Sequence, residues 1–222
     1  DLKERCLKNI KRTEEFMLLM VALINFQLRE VNRGNPAALE EVFNLYKCAL
    51  EHELFTLGGF FPNLPFNMIV TVACKLKEYE WVEEFIEHNA PLLHPKEKKN
   101  TEILSKAKVF FEQKKYEEAL EACNDIDMKR MSTNLQFRTL RIRIYYELPH
   151  YKKALQSDCT NLLQYARRNK LISITVDQVK PLTDVVKGLL KGKPADELLQ
   201  ICHKNPAILL KEWVLEKIQE KM

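Results

Sequence analysis

Glycine is scarce in this chain, at five of 222 residues, which is about a third of the usual share of ~7%. Glycine supplies the positive-φ residues of tight hairpins and the loops that wrap phosphate groups. A chain with so little glycine has little material for hairpins and no glycine-rich phosphate loop. The composition therefore argues against a Rossmann protein, a P-loop protein and an all-β protein.

The chain also lacks a long hydrophobic run, since its most apolar stretch covers only residues 16–26, FMLLMVALINF. A helix needs about 20 apolar residues to cross a bilayer, so we expect no membrane span. Two glutamates precede the stretch and no small-residue cleavage site follows it, which is not typical of a signal peptide. We interpret it as a helix that is buried on nearly every side.

The first residue is Asp1 rather than Met. We therefore expect a piece of a longer protein, in which a preceding segment packs against the 16–26 helix. The alternative is self-association, in which the apolar 16–26 helix pairs with a second copy of the chain because uncovered apolar surface favours association.

The six cysteines and five histidines lack the spacing of metal or redox sites. The sequence has no C-x-x-C pair and no H-E-x-x-H, so it predicts neither a metal site nor a cofactor. No side chain lies in a recognisable nucleophile turn, and Glu83, Glu84 and Glu87 are the nearest approach to an acid–base pair. We expect reduced, structural cysteines in a cytoplasmic protein and no catalytic residue.

Apolar residues recur every three or four positions along most of the chain, and short breaks containing Gly or Pro separate these segments. This pattern is typical of amphipathic helices with helix stop and start signals. Pro181 falls inside the ninth predicted helix and should kink or divide it. The sequence thus predicts an all-α protein with helices over 2–33, 36–54, 64–77, 79–90, 95–114, 116–125, 133–147, 150–169, 172–191, 194–203 and 206–222.

A weak repeat is visible at Tyr79, Tyr116 and Tyr151, which are 37 and 35 residues apart. Each tyrosine follows a helix break and opens a helix, and each is preceded by another amphipathic helix. A period in the mid-thirties built from two helices is the signature of a helical solenoid. We expect these tyrosines and Trp81 to pack between neighbouring repeats.

Segments 65–170 resemble tetratricopeptide (TPR) repeats. The family places an aromatic residue late in helix A, another at the start of helix B and an alanine three positions later. Two units match, one with Phe110, Tyr116 and Ala119 and the next with Tyr145, Tyr151 and Ala154.

The repeats depart from the TPR pattern at several positions. Val70 and Ile142 replace the small residue that Ala107 supplies in helix A. Lys114 and Pro149 stand where the family has a glycine before helix B. Polar Asp158 and Asn161 occupy helix-B positions where apolar residues are expected.

The resemblance implies a right-handed α-solenoid of stacked antiparallel helix pairs, forming a single helical-repeat domain over 1–222. Its best repeats cover 65–170, with divergent helices over 1–60 and 172–222. The chain also resembles the C-terminal part of long bacterial TPR-like proteins. In these proteins a helix similar to KEWVLEK at 211–217 closes the solenoid, so 206–222 is interpreted as a capping helix.

TPR solenoids bind through a concave face lined by helix A. The resemblance places a peptide-binding groove at Asn67, Thr71, Lys75, Lys108, Phe111, Arg143 and Tyr146. Cationic side chains beside aromatic rings suit a peptide carboxylate or an acidic partner.

The segment 127–170 holds most of the excess positive charge, with 10 basic and 3 acidic residues. Its cations alternate with tyrosines, a combination that also suits single-stranded nucleic acid. The alternative basic patch consists of Arg138, Arg141, Arg143, Arg167 and Arg168, together with Lys129, Arg130 and Lys170.

The leading hypothesis is a non-catalytic scaffold that binds a protein or peptide through the concave face of a solenoid, with acidic groups as the candidate ligands. One alternative is a single-stranded nucleic-acid-binding module that uses 127–170. The other is an enzyme whose site is not visible in the sequence.

Overall fold

The computed structural model describes residues 14–127, 134–168 and 176–222. No β-strand is present in these ranges, although Phe61 and Leu93 form an isolated parallel bridge. The predicted all-α class is confirmed, and no described helix combines the length and apolarity that a membrane crossing requires. The described helices are α1 (Glu14–Asn32), α2 (Ala37–Glu51), α3 (Asn63–Lys75), α4 (Tyr79–Asn89), α5 (Pro95–Glu112), α6 (Tyr116–Ala122), α7 (Asn134–Glu147), α8 (Lys152–Arg168), α9 (Val176–Leu190), α10 (Ala195–Lys204) and α11 (Lys211–Gln219).

The predicted helix bounds agree with the structure to within a few residues, with two corrections. Pro181 lies inside α9 without dividing it. The last helix begins at Lys211 rather than at 206, because Leu210 adopts a left-handed backbone with φ of 57°. Residues 2–13 of the first predicted helix and 172–175 of the ninth lie outside the described residues.

The chain divides into two compact units, residues 1–133 and 134–222. Each unit has its own cluster of buried hydrophobic residues. Within each unit, the helices that pack extensively on each other are one or two positions apart in the sequence, such as α3 with α4 and α5. The single domain over 1–222 stays a prediction.

Aromatic rings form the centre of the first unit. The Trp81 ring stacks on Phe85 with centroids 5.5 Å apart and meets the edge of Phe43 at 4.8 Å. The Tyr79 hydroxyl donates to the Glu112 carbonyl at 3.0 Å, which ties the start of α4 to the end of α5. Tyr79 and Trp81 therefore contact residues of neighbouring helices, and their predicted position between repeats stays a prediction.

Four helices end in the same left-handed turn. After α1, α3, α5 and α9, one residue has a positive φ, and its N–H and the next N–H bond back to carbonyls three and five residues earlier. This arrangement is the Schellman motif, which satisfies carbonyls at a helix end. The left-handed residues are Gly34 (89°), Lys77 (62°), Lys114 (63°) and Gly192 (69°).

Lysine fills the left-handed position twice, and one residue separates each of these lysines from the first residue of α4 or α6. A non-glycine residue in this conformation brings its Cβ too close to the backbone, which costs about 1 kcal/mol. Lys77 and Lys114 therefore hold a strained backbone at the place where a TPR glycine would stand without strain. Their positive charges partly offset this cost because they lie near the negative end of a helix dipole.

Asp158, an unexpected polar residue in a helix-B position, is bound by Arg141. The Arg141 guanidinium donates two hydrogen bonds to the carboxylate, from Nε to Oδ2 and from Nη2 to Oδ1, the latter at 2.6 Å. Asp158 is buried on α8, and Arg141 comes from α7 and also packs over the Phe137 ring. The bidentate pair thus joins α7 to α8 where an apolar contact was expected.

A second buried charge, Lys217, joins α11 to α7. Its side chain is 7% exposed, and its Nζ lies 2.9 Å from Glu147 and 2.7 Å from Glu220. Burial acts to lower the pKa of Lys217, but hydrogen bonds to Glu220 and Glu147 outweigh it, so the pKa is raised. α11 and the segment before it are therefore held by an ion-pair cluster as well as by burial of Ile208, Trp213 and Ile218.

The described cysteines are free thiols, and Cys74, Cys123, Cys159 and Cys202 are buried. Burial raises the pKa of Cys159 to about 12, so this thiol stays protonated near neutral pH. The structural role predicted for these cysteines is confirmed, while Cys6 lies outside the described residues.

The expectation that the 16–26 helix is buried on nearly every side is wrong. One side of α1 is buried through Phe16, Met20 and Ile24, but Leu18 is 64% and Phe26 is 54% exposed. The reason is that α2 is the only described helix that packs extensively on α1. The opposite side of α1 has no described helix against it.

Replacing Lys114 with glycine should stabilise the protein, because glycine adopts positive φ without strain. We expect Lys114→Gly to raise the free energy of unfolding by about 0.5–1 kcal/mol in urea denaturation. Lys115→Gly is the matched control, since Lys115 has an ordinary φ of −88° and its replacement should not stabilise. A Lys114→Gly variant no more stable than the parent would contradict the interpretation of this turn.

Removing only one partner of the Arg141–Asp158 pair should be costly, because the other charge then stays partly buried without its partner. We expect Asp158→Leu to lower the free energy of unfolding by about 2–3 kcal/mol, and Arg141→Met/Asp158→Leu to recover most of this loss. Glu197→Ala breaks the exposed Lys193–Glu197 pair and should cost less than about 1 kcal/mol. Equal stability of the single and double variants in thermal or urea unfolding would argue against the pair.

Candidate functional site

An open cleft of about 590 Å³ lies between α4 and α5 in the first unit. A 3₁₀ turn over Ala90–Leu92 joins the two helices. The cleft combines an apolar floor with a charged rim. Its lining residues are Glu83, Ile86, Glu87, Ala90, Pro91, Lys98, Glu102, Lys106, Val109 and Phe110.

Helical periodicity explains why these residues converge. On α5, Lys98, Glu102, Lys106 and Phe110 are spaced four apart and so lie along one side of the helix. Glu83, Ile86 and Glu87 likewise lie along one side of α4, and Ala90 in the turn continues this line. The cleft is therefore the place where one stripe of α4 faces one stripe of α5.

The floor of the cleft is apolar and belongs to the core of the unit. Ile86, Ala90 and Val109 are each at most 2% exposed, while Phe110 is half-buried. Leu92, the residue after Pro91, is 43% exposed and extends the apolar surface of the turn. Phe110 and Leu92 thus expose apolar surface to water, whereas Ile86, Ala90 and Val109 are almost wholly covered.

The two edges of the rim carry different charges. The α4 edge has Glu83 and Glu87, both exposed. The α5 edge has Lys98, Lys106 and Glu102, and the Lys106 Nζ lies 2.7 Å from the Glu102 Oε1. This exposed pair is weak, so its lysine can exchange partners with little loss. One edge is therefore acidic and the other is basic on balance.

Polar contacts hold α5 against its neighbours at both ends of the cleft. At its start, Thr101 Oγ1 donates to Asn63 Oδ1 at 2.7 Å, and Asn63 Nδ2 donates to Glu97 Oε2 at 2.6 Å. At its end, the Tyr79 hydroxyl bonds the Glu112 carbonyl. The α5 wall of the cleft is consequently held against α3 and α4 in the absence of a ligand.

The residues of the predicted concave groove have varied surroundings. Asn67 and Phe111 are buried, each 6% exposed. The Asn67 Nδ2 donates to the Asn63 carbonyl, and the Thr71 hydroxyl donates to the Asn67 carbonyl at 2.7 Å. Lys75 is exposed and Lys108 is half-buried. The structure thus brings Asn67 and Thr71 together on α3 through backbone contacts rather than through an open polar surface.

The other two groove residues belong to the second unit. Arg143 and Tyr146 lie on α7 and are half-buried. The Tyr146 ring meets the edge of Trp213 on α11, with centroids 5.3 Å apart. Burial and the neighbouring Glu147 carboxylate raise the pKa of Tyr146. The ring that was predicted to line the groove therefore packs inside the second unit, against Trp213. The concave groove stays a prediction.

Two cations of the predicted basic patch pack inside the second unit. Arg138 lies over the Tyr165 ring at 4.9 Å, and burial together with the charge of Arg141 lowers its pKa. Arg141 is bound to Asp158, which offsets its charge. Arg167 and Arg168 are exposed at the end of α8, while Lys129, Arg130 and Lys170 lie outside the described residues.

The cleft between α4 and α5 was not predicted from the sequence. Lys106, in the cleft, and Lys108, in the predicted groove, are two positions apart and so project from opposite sides of α5. The available signal was the acidic pair on α4, Glu83 and Glu87, which was considered only as an acid–base pair. Their i, i+4 spacing marked one stripe, but nothing in the sequence indicated that α5 faces it.

Within the ranges that the structure describes, no three His, Cys, Asp or Glu side chains converge as a metal site. No protein-family model, curated protein or solved structure matches the chain.

Proposed function

We propose that the protein is a non-catalytic, TPR-like binding scaffold. In this proposal its helix pairs stack as a right-handed solenoid, and the cleft between α4 and α5 holds the apolar face of a helical segment from a protein partner. The single observation that carries the proposal is the combination of an apolar floor with oppositely charged edges in one open cleft.

The solenoid arrangement is supported by local packing. In each unit, extensive contacts join helices that are one or two apart in the sequence, as in repeat proteins whose units contact only their neighbours. Ala107 and Ala119, the small residues of the best repeat, are fully buried and let α5 and α6 approach closely. The same left-handed turn also precedes α4 and α6, at Lys77 and Lys114.

A helical ligand fits the chemistry of the cleft. The α4 and α5 backbones are hydrogen-bonded within their own helices, so they leave no edge to which an extended strand could pair. A groove between two helices instead takes apolar side chains spaced three and four apart on one face of a third helix. Burial of these side chains against the exposed parts of Pro91 and Phe110 would supply most of the affinity.

The rim sets the orientation of such a ligand. Glu83 and Glu87 favour basic residues along one flank of the ligand, and Lys98 and Lys106 favour acidic residues along the other. Reversing the ligand would juxtapose like charges, which lowers affinity and so selects one direction. The favoured partner is therefore an amphipathic helix with flanks of opposite charge.

Charge reversal on the α4 edge should weaken binding while leaving the fold intact, because both glutamates are exposed. Helical peptides selected from a displayed library against the whole chain provide the probe. We expect Glu83→Lys/Glu87→Lys to weaken their binding about tenfold, which is about 1.4 kcal/mol, in fluorescence anisotropy titrations. Glu84→Lys is the matched control, since Glu84 is exposed on the same helix outside the cleft.

Two results would contradict the proposed site. One is that no helical peptide is selected. The other is that the selected peptides bind the Glu83→Lys/Glu87→Lys protein as tightly as the parent, or lose affinity equally with Glu84→Lys. In the second case the peptides would occupy a different surface.

The solenoid arrangement has its own test in small-angle X-ray scattering of the monomer fraction. A compact domain of 222 residues has a radius of gyration of about 17 Å. Stacked helix pairs form an extended body, so we expect a radius well above this value and an asymmetric distance distribution. A radius near the compact value would contradict the solenoid without affecting the cleft.

A further inference from the structure

The exposed side of α1 is apolar, and the described helices of the first unit do not cover it. Leu18, Leu19, Val21 and Phe26 are between 37% and 64% exposed. They lie on the same 19-residue helix and opposite the side that packs on α2. Monomeric proteins rarely leave a contiguous apolar surface of this kind uncovered, and such surfaces mark sites of association.

The exposed side carries a heptad-like stripe. Glu15, Leu18, Ala22, Asn25 and Arg29 are separated by alternating steps of three and four residues, and all five are exposed. This spacing places the five side chains in one line along the helix, so that they would all face a second helix packed along it. Leu19 and Phe26 border the stripe on one side.

The stripe is also symmetric in charge about Ala22. Glu15 precedes Ala22 by seven positions and Arg29 follows it by seven. Leu18 and Phe26 stand four positions before and after it in the same way. If two copies of α1 cross at Ala22 in antiparallel orientation, each Glu15 therefore faces an Arg29, and each Leu18 faces a Phe26. In a parallel pair, Glu15 would face Glu15 and Arg29 would face Arg29.

From this self-complementarity we propose that the exposed side of α1, defined by Glu15, Leu18, Ala22, Phe26 and Arg29, is the interface of an antiparallel two-fold homodimer. An isologous interface needs a surface that complements itself under a two-fold rotation, and the charge order of the stripe meets this requirement. The small side chain of Ala22 lies at the crossing point, where the two backbones come closest. The interface is independent of the cleft between α4 and α5.

Charge-reversal variants of the whole chain test both the surface and the orientation. In sedimentation velocity, we expect the parent to form dimers as its concentration rises. Glu15→Arg and Arg29→Glu should each weaken dimerisation at least about tenfold, because each places like charges opposite one another. The double variant, Glu15→Arg/Arg29→Glu, should dimerise like the parent since both pairs are restored with reversed sign.

Mixing the two single variants tests whether positions 15 and 29 both lie in the interface. In an equimolar mixture, the Glu15→Arg variant is positive at positions 15 and 29, and the Arg29→Glu variant is negative at both. In an antiparallel heterodimer, opposite charges therefore meet at both ends of the stripe. We therefore expect heterodimers from two proteins that separately stay monomeric, detected by labelling one of them with a fluorophore. A parallel pair would also bring opposite charges together in this mixture, so the single variants test the orientation. In a parallel homodimer the parent already places Glu15 opposite Glu15 and Arg29 opposite Arg29, and neither single variant would weaken dimerisation.

Apolar variants complete the test. Phe26→Glu should abolish dimerisation, whereas Leu64→Glu should not, since Leu64 is 71% exposed but lies on α3 outside the interface. Circular dichroism checks that each variant keeps its helices. A parent that stays monomeric throughout the concentration range, or a dimer that survives Phe26→Glu, would overturn the proposal.

Discussion

Burial of an apolar stripe between one helix and the next is the interaction on which the described structure depends. Isolated helices of this length are marginal in water, so most of the stability of a helix in a protein comes from tertiary packing. Each gains its stability from a neighbour that follows closely in the sequence. This packing requires the chain to reverse direction sharply after each helix, and the left-handed turns at Gly34, Lys77, Lys114 and Gly192 provide four of these reversals. Strain at the two lysine positions is tolerated because each turn allows two helices to pack. The apolar surface that this packing buries contributes more free energy than the strain costs.

Two buried charges in the second unit are compatible with this apolar packing because each has partners within reach. Asp158 accepts both hydrogen bonds of a guanidinium, and Lys217 lies among carboxylates from its own helix and from α7. Such pairs add less free energy than an apolar contact of the same size, but they impose one geometry on the helices that they join. In this structure they join α7 to α8 and α7 to α11.

The two proposed binding surfaces arise where this packing is incomplete. Between α4 and α5, the stripes meet over Ile86 and Val109 but leave a charged, open cleft above them. On α1, one side packs on α2 and the other has no described neighbour. Both surfaces expose apolar groups bordered by charges of both signs, which is the composition that favours docking of another helix. One surface suits a partner of a different sequence, and the other suits a second copy of the chain.

The order and bounds of the helices were determined by the sequence alone. Apolar spacing identifies a helix, and Gly or Pro ends it, and both signals act over a few residues. The same local reasoning also predicted the last helix, although its start lies at Lys211 rather than at 206.

Tertiary structure alone decided which stripe of a helix meets which neighbour. Lys106 and Lys108 carry the same charge on the same helix, yet only Lys106 lines the cleft. The polar Asp158 departs from the family pattern, but it is paired with Arg141. The apolar α1 was expected to be buried, but one of its sides has no described helix against it. The physical reason is that periodicity records which side of a helix is apolar, whereas the partner of that side depends on contacts between residues far apart in the sequence.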